Sequence, residues 1–298
     1  MIEKIFGLGL ISASIRMATP ILLAALGGTF IFSAGVWNIA LEGSMLMGSF
    51  FAVMMSYLSQ YLFIGFLSAG IAGMVLALLL AFLIIKIKTD AIVVGIGGNI
   101  LAWGITVFVL EEVFNMHGAF TVKEVLSFNK IQISIIDEIP VISQILSGHT
   151  FPVYLSWVLC FICWLILYKT PLGLKIRAIG ANEEAAKTVG IQVERIQILS
   201  FLVSGFLAGL GGAYLSIGYL QAFWGENMTA GRGFIALCAL AFGKNNPSLV
   251  LIACLLFGFA DAIGIRFQVM QWQPSFVLMI PYIITIFILW LSSRERII

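Results

Sequence analysis

Apolar runs long enough to cross a lipid bilayer recur from one end of this chain to the other. About 20 apolar residues in a helix, at about 1.5 Å of rise each, cover the hydrocarbon core. Such runs occupy positions 9–32, 36–57, 62–85, 91–110, 153–168, 196–219, 231–243, 247–265 and 275–292. Lipid offers no hydrogen bonds, so every backbone polar group must be paired within the protein, and helices achieve this segment by segment. The expected fold is therefore an all-α polytopic membrane protein of about 8–10 transmembrane helices. The run at 231–243 is too short to cross alone and is predicted to be tilted or broken and shielded by neighbours. Hydrophobic residues make up 61% of the chain and charged residues 10%, against about 45–50% and about 25% in soluble domains. With no tandem repeat or low-complexity segment, residues 1–298 read as a single membrane domain.

A net charge of +2 gives no basis for nucleic-acid binding. The start of the chain shows no small-residue cleavage pattern after its charged residues, so no removable signal is expected. Cys160 and Cys163 have C-x-x-C spacing but sit in an apolar run beside Phe161 and Trp164. A redox or metal role needs accessible thiolates, so these two, with Cys238 and Cys254, are read as packing residues.

Basic residues mark the cytoplasmic side of a membrane protein. Lys86 and Lys88, the stretch Lys169 to Arg195, Lys244, and Arg294 with Arg296 place ten of the sixteen basic residues on one side. The segment 111–150 falls on the other, with Glu111, Glu112, Glu124, Asp137 and Glu138 against Lys123 and Lys130. This puts the C-terminus inside and the N-terminus outside, an assignment that Lys4 and Arg16 oppose mildly.

The cytoplasmic loop 169–195 is a charged island containing Lys169, Lys175, Arg177, Glu183, Glu184, Lys187, Glu194 and Arg195. Its centre is predicted to be a short helix. Asn182 can cap it, Glu183 and Glu184 suit its positive end, Ala185 and Ala186 favour helix, and Gly190 can close it in left-handed geometry. Such a helix between two spans suggests a grip for a cytoplasmic partner.

Polar residues within apolar runs are the other candidates. Asn38 and Glu42, four apart, are expected to share a helix face. A carboxylate near a span is functional by default. Glu42 either lines a translocation path or satisfies backbone groups at a helix break near Gly35 or Gly43. Asn99 either faces that path or bonds to a neighbouring helix. Trp37, Phe223 and Trp224 either offer flat stacking surfaces or anchor the membrane interface. Arg232 and Arg266 fall at expected outer ends of spans, where interface anchoring or docking of an external protein is expected. His117 and His149 stand apart from other ligand types, so no metal site is expected. Gly205-x-x-x-Gly209 and Ala208-x-x-x-Gly212 are spaced for close helix packing.

Four segments resemble a known family. These are RMATPILLAALGGTFIFSAGVWNIALEGSMLMGSFFA (16–52) with its N-I-x-x-E-G element, TDAIVVGIGGNILAWG (89–104), LKIRAIGANEEAAKTVGI (174–191) and GRGFIALCALAFGKNNP (231–247). With their spacing they make nearly the whole chain similar to a permease subunit of bacterial ABC importers, in the branched-chain amino acid, simple sugar and nucleoside superfamily. Glu184-Ala185-Ala186-x-x-x-Gly190 matches the E-A-A-x-x-x-G core of classical importer permeases. Of the Ile and Leu-Pro that follow it there, Leu202 keeps the Leu, while Ser200 and Val203 stand in place of the Ile and the Pro, which fits the sugar and nucleoside branch.

The resemblance implies a bacterial plasma-membrane complex of two permeases, the second non-identical, with separate ATPase subunits and an extracytoplasmic solute-binding lipoprotein. It implies ATPase coupling through Arg177, Asn182, Glu183, Glu184, Ala185, Ala186 and Gly190, and a cargo path near Trp37, Asn38, Glu42, Asn99 and Trp224. No G-x-x-x-x-G-K-[ST] loop is present, so ATP hydrolysis is assigned to a partner chain and no cofactor is expected here. Nucleosides are the expected cargo, with simple sugars or branched-chain amino acids as alternatives. A stand-alone ion-driven carrier would need paired broken repeats with ion ligands. An intramembrane enzyme would need a catalytic constellation, and neither pattern stands out.

Overall fold

The computed structural model describes residue 7 and residues 9–116, 118–120, 127–132, 145–225 and 228–269. The run at 275–292, the termini with Lys4, Arg294 and Arg296, and Lys123, Glu124, Asp137, Glu138 and His117 lie outside the described residues.

Helices dominate. In chain order they are α1 (Gly9–Ser33), α2 (Leu41–Ser59), α3 (Leu62–Ala81), α4 (Ala91–Phe114), α5 (Phe151–Lys169), α6 (Pro171–Ala181), α7 (Glu183–Thr188), α8 (Val193–Ala213), α9 (Arg232–Phe242) and α10 (Pro247–Val269). Helix α3 continues into a π-helical turn, Phe82–Lys86, and α8 into another, Tyr214–Leu220. Among the described residues, seven helices are long and apolar enough to cross a membrane. The chain is a multi-pass membrane protein. Among the described residues, four two-residue strands, β1 (Ala119–Phe120), β2 (Lys130–Ile131), β3 (His149–Thr150) and β4 (Phe223–Trp224), pair β1 with β4 and β2 with β3, both antiparallel.

Helices α1, α2 and α8 are the most enclosed of the long helices, and α4 the least. Small residues bring α8 against its neighbours. A Cβ on Gly205 would run into the carbonyl of Gly73, one on Gly209 into that of Ala69, and one on Gly212 into that of Met45. The spacing Gly205, Gly209, Gly212 therefore seats α8 against α3 and α2 at backbone contact, which supplies dispersion energy where lipid offers no hydrophobic drive. The cysteines follow the packing expectation: Cys160, Cys163 and Cys254 are buried, and Cys160 Sγ approaches the Pro247 carbonyl at 3.5 Å.

Two departures from the sequence pattern matter for function. Helix is predicted from position 36, but α2 begins at Leu41. Gly35, at φ +76°, ends α1, with Val36 N donating to Ile31 O at 3.2 Å and Gly35 N to Phe32 O at 3.1 Å. This paired left-handed stop leaves residues up to Ala40 as irregular backbone. Asn38 and Glu42 consequently do not share a helix face. The second departure is α9, the predicted short span. Its eleven residues rise about 16 Å, half of a membrane. It lies beside α1 and α10 and starts against Glu42 at the beginning of α2.

At the end opposite α6 and α7, the β2–β3 pair leads into α5. His149 on β3 is 1% exposed, bonds through Nε2 to the Ile145 carbonyl at 2.8 Å, and lies edge-on to Tyr154 and Trp157. Burial pushes its pKa below the usual 6.5, and the positive charges of Arg16 and Lys130 add to the shift, against the raising effect of the Ile145 carbonyl.

Candidate functional site

Both interruptions place unpaired backbone groups within the helix bundle, and three polar side chains meet them. Asn38 is buried. Its Oδ1 accepts from Ala40 N at 3.1 Å, and its Nδ2 donates to Ser204 Oγ on α8 at 3.1 Å. Asn99 on α4 accepts from Gly43 N at 2.7 Å and donates to Ile39 O at 3.3 Å. Together they fasten the irregular 34–40 segment and the first turn of α2 to α8 and α4.

Glu42 serves the other interruption. Oε1 accepts from Thr229 Oγ1 at 2.5 Å and Gly231 N at 2.8 Å, and Oε2 accepts from Gly233 N at 2.6 Å. The carboxylate thus caps α9, far along the chain, and not a break near Gly35 or Gly43. The start of a helix carries about half a positive charge and unpaired N–H groups. An anionic acceptor there offsets both, in a setting where an unpaired N–H costs most.

Arg232, the first residue of α9, is turned into the bundle. Its Nε stands 3.8 Å from Asp261 Oδ2 on α10, and its Nη1 donates to Thr229 O at 3.3 Å. Arg232, expected to anchor the interface or dock an external protein, instead has its side chain largely buried against Asp261 and Thr229. Asp261 was legible as the single acid in the run 247–265. Ser204 and Thr229 carry no comparable signal, since a hydroxyl in an apolar run commonly bonds back to its own helix.

The aromatics divide. Trp37 is 61% exposed, with its ring 4.9 Å from that of Phe32. Trp224 is 52% exposed and pairs through β4 with Ala119, beyond the far end of α4. Ile39 packs on Gly95 near the start of α4, so the two tryptophans lie toward opposite ends of that helix. Phe223 is buried against Phe50, ring centroids 5.1 Å apart. Asn38, Glu42 and Asn99 are therefore brought together around the start of α2, with Trp37 beside them and Trp224 apart.

The charged island folds into two helices. Arg177 belongs to α6 and points back to α5. Its Nε donates to Leu167 O at 3.1 Å, and its guanidinium lies 4.9 Å from the Tyr168 ring centre. Asn182 Oδ1 accepts from Ala185 N at 3.0 Å and caps α7, and Gly190, at φ +82°, turns the chain toward α8. Lys187 pairs with Glu183 at 2.8 Å and Glu184 at 3.0 Å, bonds that raise its pKa. Ala186 is 3% exposed and packs against Ile179 and Val193. Its neighbours Glu183, Glu184, Ala185 and Val189 are exposed. Ala186 thus seats α7 on the bundle, and the outward face belongs to the others. Lys86, ending the first π turn, pairs with Glu194 in the first turn of α8, which lowers the Glu194 pKa.

Residues 10–289 match the family model described as the permease component of branched-chain amino acid transport systems. The guanosine ABC transporter permease protein NupQ of Bacillus subtilis is 37% identical over 93% of this chain and 89% of its own length. The putative glucose ABC transporter permease protein TsgC13 of Haloferax volcanii is 34% identical over 88% and 79%. The nucleoside ABC transporter permease protein NupC of Lactococcus lactis is 32% identical over 94% and 90%.

Proposed function

Since this chain belongs to the family of ABC transporter permeases that contains the permease component of branched-chain amino acid transport systems, we propose that its cargo is a nucleoside, imported at the expense of ATP. The observation that carries this is the similarity, over about nine-tenths of both chains, to permeases named for guanosine and for nucleosides. The N-I-x-x-E-G segment supports the same branch.

ATP hydrolysis belongs to a partner, because this chain lacks a phosphate loop. The partner docks on α7 and its flanks, with Glu183, Glu184, Ala185 and Val189 presented outward and Asn182, Ala186 and Gly190 fixing the shape. Arg177 ties α6 to α5, and the Lys86–Glu194 pair ties the start of α8 to α3, so movement of this element is passed to both spans. The loop 169–195 and the C-terminus are cytoplasmic in a bacterial plasma membrane, and 111–150 is extracytoplasmic. Residues 1–298 act as one permease domain. A second, non-identical permease completes the path, and an extracytoplasmic solute-binding lipoprotein delivers cargo. Asn38, Glu42 and Asn99 shape that path by holding its broken backbone, and Trp37 offers a flat face beside it. Trp224 contacts cargo nearer the other end.

A simple sugar is the second reading, favoured by the similarity to a permease named for glucose. Cells lacking other nucleoside routes and given the complete complex should accumulate labelled uridine or adenosine. Import of ribose, glucose or leucine without any nucleoside would overturn the cargo assignment and leave family membership intact.

A further inference from the structure

We propose that Asp261 is a positioning residue for transport. Through Arg232 it clamps the turn before α9 from the α10 side while Glu42 clamps it from the α2 side, and so holds the tip at Ala230 and Gly231 as a wall of the water-filled path.

The turn is gripped on two sides by side chains distant in sequence. Glu42 takes Thr229 Oγ1, Gly231 N and Gly233 N. Arg232 takes the Thr229 carbonyl and is faced by Asp261. Arg232 Nε is buried and has no hydrogen-bond partner among the described residues, so Asp261 is what offsets its charge at that nitrogen. The cation also sits at the positive end of α9, where the helix dipole disfavours it. Asp261 is the fifteenth residue of α10, about 20 Å from Pro247, which puts the clamp within the hydrocarbon thickness.

The tip itself is open. Ala230 is exposed and Gly231 half-buried, and both are left-handed, at φ +48° and +77°. Irregular backbone at membrane depth cannot face lipid. It must be buried in protein or border water. Among the described residues nothing buries it, and the tip is placed against the path shared with the second permease. That step rests on the two-permease reading above. An ion pair spanning α9 and α10 would then set where the wall stands, and a loss of the Asp261 charge would shift it while leaving an unpaired Arg232 behind.

The test uses the full complex in membranes. Ala230→Cys is introduced into a Cys238→Ser background, since the other three cysteines are buried, and probed with a small hydrophilic thiosulfonate and a lipid-soluble maleimide. Fast labelling by the hydrophilic reagent, slowed at least fivefold by Asp261→Asn, is the expected result. In uptake assays, Asp261→Asn should raise the KM for cargo or lower the maximal rate about tenfold. Asp261→Glu should restore much of it, and Arg232→Gln with Asp261→Asn should be less impaired than Asp261→Asn alone. Labelling by the lipid-soluble reagent only would place the tip against lipid and overturn the proposal. So would Asp261→Asn uptake and labelling equal to the parent. The labelling readout does not depend on which cargo the complex carries, so a failed nucleoside assay leaves it standing.

Discussion

Replacing Glu42 separates a carboxylate that holds backbone from one that holds cargo. In Glu42→Gln, the remaining carbonyl oxygen can keep the bonds from Thr229 Oγ1 and Gly231 N, but the new amide N–H then faces Gly233 N–H. One bond to a charged acceptor, about 1.5–3 kcal/mol, is lost. So is the charge–dipole attraction at the start of α9, about 0.3–1 kcal/mol. The expected loss is about 2–4 kcal/mol. Glu42→Ala removes all three bonds and leaves two N–H groups at about 1–3 kcal/mol each, so about 2–6 kcal/mol is expected from them, to which the lost charge–dipole attraction adds. The assay is unfolding of the purified protein with increasing sodium dodecyl sulfate fraction. The buried thiols of Cys160, Cys163 and Cys254 report as they become reactive. Stability should fall in the order parent, Gln, Ala, and uptake should fall with it. Parent-like stability for Glu42→Ala would refute the capping argument. Lost uptake with unchanged stability in Glu42→Gln would show that the carboxylate contacts cargo directly.

Ala185→Arg, on the outward face of α7, should uncouple ATP hydrolysis from transport without preventing membrane insertion, whereas Ala186→Arg should also loosen α7 itself, as increased protease cleavage in 182–190 would show. Gly190→Val forces a β-branched residue to φ +82° and should uncouple in the same way. Wild-type transport in both Ala185→Arg and Gly190→Val would remove the docking assignment. Gly209→Val should abolish the α8–α3 contact at Ala69 and sharply reduce folded yield, read by detergent gel filtration. His149 has a pKa lowered by burial, so the unfolded chain binds more protons, and stability should decline as pH falls below about 6.5. His149→Gln should flatten that decline when melting is followed between pH 7.5 and 5.

Much of this architecture was readable because lipid makes hydropathy and backbone satisfaction nearly equivalent. The long spans stand close to their apolar runs for that reason, and α9 was flagged by length alone. The cap at Asn182, the turn at Gly190 and the close packing of Gly205 and Gly209 are local or periodic signals, and sequence carries those well. The start of α2 was misplaced because Val36, Trp37, Ile39 and Ala40 are as apolar as any helix, and Gly35 alone gave little warning of the stop. The pairings of Asn38 with Ser204, Glu42 with Gly233 and Arg232 with Asp261 join residues distant in sequence. Composition shows that such side chains need partners and cannot say which. The inward face of Ala186 was hidden for a related reason: it is set by Ile179 and Val193 in neighbouring helices.

The most direct test of the central account is reconstitution by omission. Proteoliposomes would hold this chain, a second permease and the ATPase, with binding protein outside and ATP inside, and accumulation of labelled guanosine would be followed over minutes. Concentrative uptake should require every component, and omission of the second permease or of ATP should reduce it to the level of empty vesicles. Uptake by this chain alone, driven by an ion gradient and indifferent to ATP, would contradict the account.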